Sequence, residues 1–123
     1  MKEAARTDAQ RLEDMRDALR RIARFTEGVS RSEFLGNSTL QDAVAFRIMA
    51  LGEAAGRVSK RTRNANPKIN WQRLSNFRNE PAHEYYALRP EHIWDFIHAA
   101  LPELESRLHK VKPASDGAAP SRR

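Results

Sequence analysis

Apolar positions recur along this chain at the three-and-four spacing of a helix, and nowhere alternate long enough to suggest a strand. Leu12, Met15, Leu19 and Ile22 make the first stripe, and arginines and acids of opposite sign fill the positions between. The pattern predicts a helix from about Thr7 to Thr26, capped by Thr7 or Asp8. "EGVSRSEFLGNST" has no such stripe and predicts a connection with one short turn at 32–35. A second helix is expected to start after Asn37 or Ser38 and run to about Arg63. Val44, Ile48, Leu51, Ala55 and Val58 form its main stripe, widened by Ala43, Phe46, Ala50 and Ala54, which predicts a central position. Gly52 and Gly56 lie four apart, a spacing that lets another helix approach closely.

"NANPKIN" marks a loop. Asn70 is the expected cap of a third helix from Trp71, with Trp71, Leu74 and Phe77 facing inward. Pro81 cannot donate to a helical ladder and disfavours helix at the residue before it, so this helix should end or kink there. Pro90 suits the first position of a fourth helix. Its stripe is Ile93, Phe96, Ile97, Ala100, Leu101, Leu104, Leu108 and Val111, with a kink expected at Pro102. The predicted fold is all-α, an antiparallel bundle of four to five helices over residues 1–111, with a disordered basic tail over 112–123.

With 123 residues the chain is one domain's worth. It has no cysteine, which excludes disulfides, thiolate metal sites and a cysteine nucleophile. Its N-terminal segment is charged throughout, and no apolar run approaches the ~20 residues of a membrane span. A soluble, cytoplasmic protein with no membrane contact is expected. The net charge of +6 is unevenly spread: residues 57–78 hold seven bases and no acid. Such a segment attracts polyanions, or is simply a solvated helix end and loop.

That basic segment ends in "NFRNEPAHEYY", residues 76–86. Arg78 offers a planar fork of donors suited to phosphate. His83 titrates near neutrality and can move a proton. Asn79 adds a neutral donor and acceptor. Together they suit cleavage of RNA by its own 2′-hydroxyl, which needs a base and a cation for the pentacoordinate phosphorus but no metal. The reaction benefits from both an acid and a base, which two motifs across a dimer cleft would supply. In the plainer alternative, His83 caps a helix end and Arg78 pairs with Glu80 or Glu84. Lys60, Arg61, Arg63 and Arg73 are candidates for guiding RNA; "KRTR" at 60–63 could equally complement the negative end of the second helix. Glu53 is expected to pair with an arginine such as Arg47 or to face the cleft. His92, His98 and His109 lack metal-ligand spacing and read as surface or packing residues. Trp71 and Trp94 suit the core or an interface.

Arg78-Asn79-Glu80-Pro81-Ala82-His83-Glu84-Tyr85 resembles the R-x4-H-x-Y motif of HepT-like ribonuclease toxins, within the HEPN group of helical domains. The resemblance extends over residues 8–108 through "DAQRLEDMRDALRRI", "SRSEFLGNSTLQDAVAFRIMALGEAAGRVS", "NPKINWQRLSNFRN", "EHIW" and "LPELESRL". It implies a HEPN-like homodimer with the motifs at a shared cleft. It implies metal-independent endonucleolytic cleavage of an RNA substrate, with Arg78 and His83 catalytic, Asn79 supporting and no cofactor. It further implies the toxin half of a type VII-like toxin–antitoxin pair. The partner would be a minimal nucleotidyltransferase that transfers AMP to Tyr85, where a bulky anion obstructs the phosphate site. Pro81 and Ala82 replace the family's usual aliphatic residues, Asn70 a common proline, and Arg89 a common aspartate at the start of the last helix. The rival readings are a non-catalytic partner of a nucleotidyltransferase, whose Arg/His motif binds nucleotide or phosphate, and a basic regulator of duplex DNA.

Overall fold

The computed structural model describes residues 6–78 and 89–114, and these are helical with no strand among them. Helix α1 spans Asp8–Thr26, α2 Arg31–Leu35, α3 Ser38–Arg57, α4 Lys60–Ala65 and α5 Trp71–Asn76. A final rod consists of α6 (Pro90–Asp95), a π-turn (Phe96–Ala100) and α7 (Leu101–His109).

The starts follow the sequence closely. Thr7 caps α1 in a reciprocal box with Gln10, and Ser30 does the same for α2 with Glu33. Asn37 and Asn70 accept from the third amide of α3 and α5. Gly28, at φ 73°, supplies the left-handed turn that ends the first helix. Arg89 makes no side-chain cap to α6, and Pro90 stands at its first turn.

Two expectations need correction. The second long helix does not reach Arg63: it stops at Arg57, Val58 turns extended (ψ 138°), and Ser59 caps a separate α4. The cause is Asp8, whose carboxylate accepts from the Ser59 amide (2.9 Å), the Ser59 hydroxyl (2.6 Å) and the Thr62 hydroxyl (2.5 Å). Lys60 and Arg61 therefore stand at the start of a short separate helix and not within the last turn of α3. The second correction is Phe46, placed by the pattern in the core stripe but 61% exposed.

The Asp8–Ser59 bonds set the beginning of α1 against the end of α3, so the two run antiparallel. Arg16 donates to the carbonyls of Leu108 and Val111 (both 3.2 Å), laying the end of α7 along the first half of α1. The core between them holds Leu12, Met15, Ile22, Val44, Ile48, Leu51 and Leu108, all at most 1% exposed. At Pro102 the ladder lacks a donor, and the strain is taken up just before it: the Leu101 amide reaches back to the Phe96 carbonyl, closing the π-turn. Trp71 is buried and donates to the Asn66 carbonyl; Trp94 packs between Phe34 and the His98 ring. Residues 112–114 follow α7, with the Ala114 amide donating to the buried Thr62 hydroxyl (2.9 Å); the rest of the expected tail lies outside the described residues.

Candidate active site

Helix α5 is short, and its inward residues Trp71, Leu74 and Phe77 are buried as the pattern predicts. Phe77 ends it in helical conformation, and the Arg78 amide still bonds the Ser75 carbonyl (3.2 Å). Arg78 thus leaves the last turn of α5 in a fixed direction, towards α3.

The two glycines of α3 decide what meets it there. A Cβ at Gly52 would fall on the Leu74 carbonyl oxygen and 2.9 Å from the Phe77 Cβ, so this glycine admits the backbone of α5. A Cβ at Gly56 would lie 2.6 Å from both Cζ and Nη1 of Arg78 and 3.0 Å from its Nε. The guanidinium therefore rests against the bare backbone of Gly56. Glu53, on the same helix, places Oε1 3.9 Å from Arg78 Nη1, while its other oxygen accepts a short bond from Arg57 Nε. The Arg57 bond holds the Glu53 carboxyl below the ordinary glutamate range; partial burial opposes it, and the charges of Arg57, Arg78 and Arg11 add to it. A carboxylate that stays charged orients the guanidinium. At 3.9 Å it does so without a hydrogen bond, so this contact does not occupy the fork's donors.

Glu53 was expected to pair with Arg47 or face the cleft. Arg47 instead lies over the Phe46 ring, 5.2 Å from its centroid, and the partners of Glu53 are Arg57 and Arg78. The signal was present in the spacing: Arg57 is four residues on and shares a helical face, whereas Arg47 is six back and does not. Nothing in the sequence marked Gly56 as the seat of Arg78.

Of the expected catalytic set, Arg78 is described. Asn79, Glu80, Pro81, Ala82, His83, Glu84 and Tyr85 lie outside the described residues. The four expected RNA-guiding residues stand on two different helices, α4 and α5. Lys60 and Arg61 are exposed on the first turn of α4, and Arg63 is half-buried with a shielded Nε. Arg73 lies on the other side of α5 from Arg78, its guanidinium 4.9 Å above the Phe96 ring. His98 stacks on Trp94 and its Nδ1 is 2.9 Å from the Trp94 carbonyl, and His109 is exposed. Among the described residues no three of His, Cys, Asp or Glu converge as metal ligands, and no helix is long and apolar enough to cross a membrane.

The family described as Ribonuclease HepT-like matches residues 15–111. The chain is 25% identical to a "Probable ribonuclease HepT" of Thermococcus cleftensis, over 82% of its own length and 92% of that protein's. It is 30% identical to a "Putative RNase" of Methanocaldococcus jannaschii, over 74% of itself and 72% of the relative. A "Putative RNase" of Caldanaerobacter subterraneus shares 27% identity over 69% of this chain and 76% of its own. No solved structure matches. The matched span includes Glu53, Gly56 and Arg78 with the whole R-x4-H-x-Y segment, and the chain belongs to the HepT-like ribonuclease family.

Proposed function

We propose that this chain is a metal-independent RNA endonuclease in which Arg78 and His83 act on one phosphodiester. The observation that carries the reading is the seat of Arg78, held on Gly56 and faced by Glu53 where the chain enters the R-x4-H-x-Y segment. His83 takes the proton of the 2′-hydroxyl, whose oxygen attacks the adjacent phosphorus. Arg78, aided by Asn79, stabilises the added negative charge. The 5′-oxygen leaves with a proton, and the new strand end is a 2′,3′-cyclic phosphate. The nucleophile belongs to the substrate and the charge is met by a guanidinium, so no step calls for a metal.

A homodimer supplies the second acid–base group. The face of α3 beyond Glu53 supports it: Phe46 is exposed there, beside the half-buried Met49 and Ala50. In the same reading the protein is a toxin controlled by a nucleotidyltransferase that adenylylates Tyr85, since a phosphate group on that phenol competes with the scissile phosphate for Arg78.

The test is RNA cleavage in chelator by the wild-type protein and by His83→Ala, both first shown to be folded by circular dichroism. Cleavage by the wild type alone, leaving cyclic phosphate ends, is the expected result. Equal cleavage by both sinks the role of His83. Silence across transfer, messenger and ribosomal RNA favours the non-catalytic binding partner instead.

A further inference from the structure

Three adjoining hollows run along one side of the α6–α7 rod, the upper two against α5 and the lower against the end of α4 and the loop before α5. The upper one, about 470 Å³, lies between Arg73 and Phe77 on one side and His92, Asp95 and Phe96 on the other. A narrow waist of about 100 Å³ shares Arg73, Phe96 and Ala100 with it and extends to Leu104 and Arg107. The lower hollow, about 450 Å³, shares Lys68, Ile69 and Arg107 with the waist and reaches Lys110. Shared walls set them end to end as one surface groove, crossed between the waist and the lower hollow by the Arg107 side chain. From His92 to Lys110 it follows the rod for roughly 27 Å at 1.5 Å per residue.

Its chemistry is that of a track for a polyanion. Lys68, Arg73, Arg107 and Lys110 are exposed on its walls, and Asp95 is the one acid among the described residues that line it. Ile69, Phe96 and Leu104 are buried beneath them. Arg107 braces the two walls: it donates to the Lys68 carbonyl (2.6 Å) and pairs with Glu103 (2.6 Å). The Arg73 guanidinium, backed by the Phe96 ring, is a planar cation on which a base can stack. Phe77 and His92 bound the upper end, next to Arg78 and Arg89, the described residues on either side of the motif segment.

We infer that this groove holds a single strand of RNA flanking the scissile bond, so that the substrate lies along the α6–α7 rod and not across the basic start of α4. Exposed basic residues spaced along one side of the rod, with a stacking guanidinium among them, suit a single strand. The chain's own tail is a poor occupant, because it is basic and its beginning is tied to Thr62 on α4. The inference rests on the ribonuclease reading above for the identity of the polyanion.

The test measures binding of a labelled single-stranded RNA to the His83→Ala protein, by fluorescence anisotropy over a salt series. Adding Lys68→Ala and Lys110→Ala should weaken binding about tenfold and flatten the salt slope by about 1.4, for two lost contacts on a single strand. Lys60→Ala with Arg61→Ala should change both far less. In the cleaving parent, the groove pair should lower kcat/KM far more on a long strand than on a dinucleotide too short to reach Lys68. Unchanged affinity and slope, or equal losses from the α4 pair, overturn the inference; so does a groove that ignores RNA and takes an acidic protein. The two readings fail separately. A wild type that binds through the groove but never cleaves defeats the ribonuclease reading alone, and a cleaving protein indifferent to the groove variants defeats the groove alone.

Discussion

Two glycines one turn apart on α3 face the same helix, yet their replacement should do opposite things. At Gly52 a methyl group meets backbone, the Leu74 carbonyl, which cannot give way without moving α5. Gly52→Ala should cost about 1–3 kcal/mol as overpacking, even after the helix propensity gained by alanine. At Gly56 the methyl meets the far end of the Arg78 side chain, which can swing aside. Gly56→Ala should therefore keep or slightly raise the melting temperature, because alanine favours the helix by up to ~1 kcal/mol. RNA cleavage should fall about tenfold or more, since a displaced guanidinium no longer meets the phosphate. Thermal melts beside a cleavage assay check both, and a fully active Gly56→Ala would remove the reason to treat this seat as part of the site. The sequence showed that a close approach was possible at Gly52 and Gly56. It could not show that one admits backbone and the other a guanidinium, because that depends on where α5 ends relative to α3.

Between elements, Asp8 does what no neighbour in sequence could do. It lies at the start of α1 and accepts from Ser59 and Thr62, fixing the break between α3 and α4 and, through Thr62, the segment that follows α7. Burial alone pushes the Asp8 carboxyl up, but hydrogen bonds from the Ser59 and Thr62 hydroxyls and the Ser59 amide, with the charge of Arg63, outweigh it and hold the pKa below the ordinary value of 3.8. A carboxyl depressed on folding stabilises the native state above its unfolded pKa, and the contribution fades as pH falls through the folded one. Asp8→Ala should thus cost about 1–3 kcal/mol at neutral pH, and the gap to wild type should close as pH falls below 3.8. Urea midpoints at pH 7 and in acid measure this; an equal gap at both would show that packing, not the charge, is what matters. Local caps such as Thr7, Asn37 and Asn70 were legible because donor and acceptor are three residues apart. The α3–α4 break was not, because its cause is 51 residues away. The π-turn was half legible: Pro102 announced a fault in the ladder, but not that a widened turn upstream would absorb it.

Across the whole molecule, the apolar stripes gave the class and the packing order, and the one stripe they overfilled is informative. α1 covers the side of α3 that carries Val44, Ile48 and Leu51, and α5 covers the side opened by Gly52. Phe46, Ala50, Glu53 and Arg57 fall on a third side, within roughly 60° of one another at 3.6 residues per turn. Phe46 on it is 61% exposed, and Glu53, which faces Arg78, continues the same strip. A two-fold contact across this side would bring two Arg78 seats together while covering Phe46, which is what a reaction needing both an acid and a base calls for. Phe46→Glu should then behave in two ways at once. Its helical circular dichroism should match the parent's, because the side chain is exposed in the single chain and its loss leaves that core intact. Its mass in sedimentation should fall from the dimer to the 14.1 kDa of one chain, because a carboxylate would be buried against its own copy. Cleavage should fall with the dimer fraction and recover at high protein concentration. A Phe46→Glu protein that remains dimeric and cleaves as the parent does would place the two-fold elsewhere. A monomer that cleaves at full rate would show that one Arg78 and one His83 are enough.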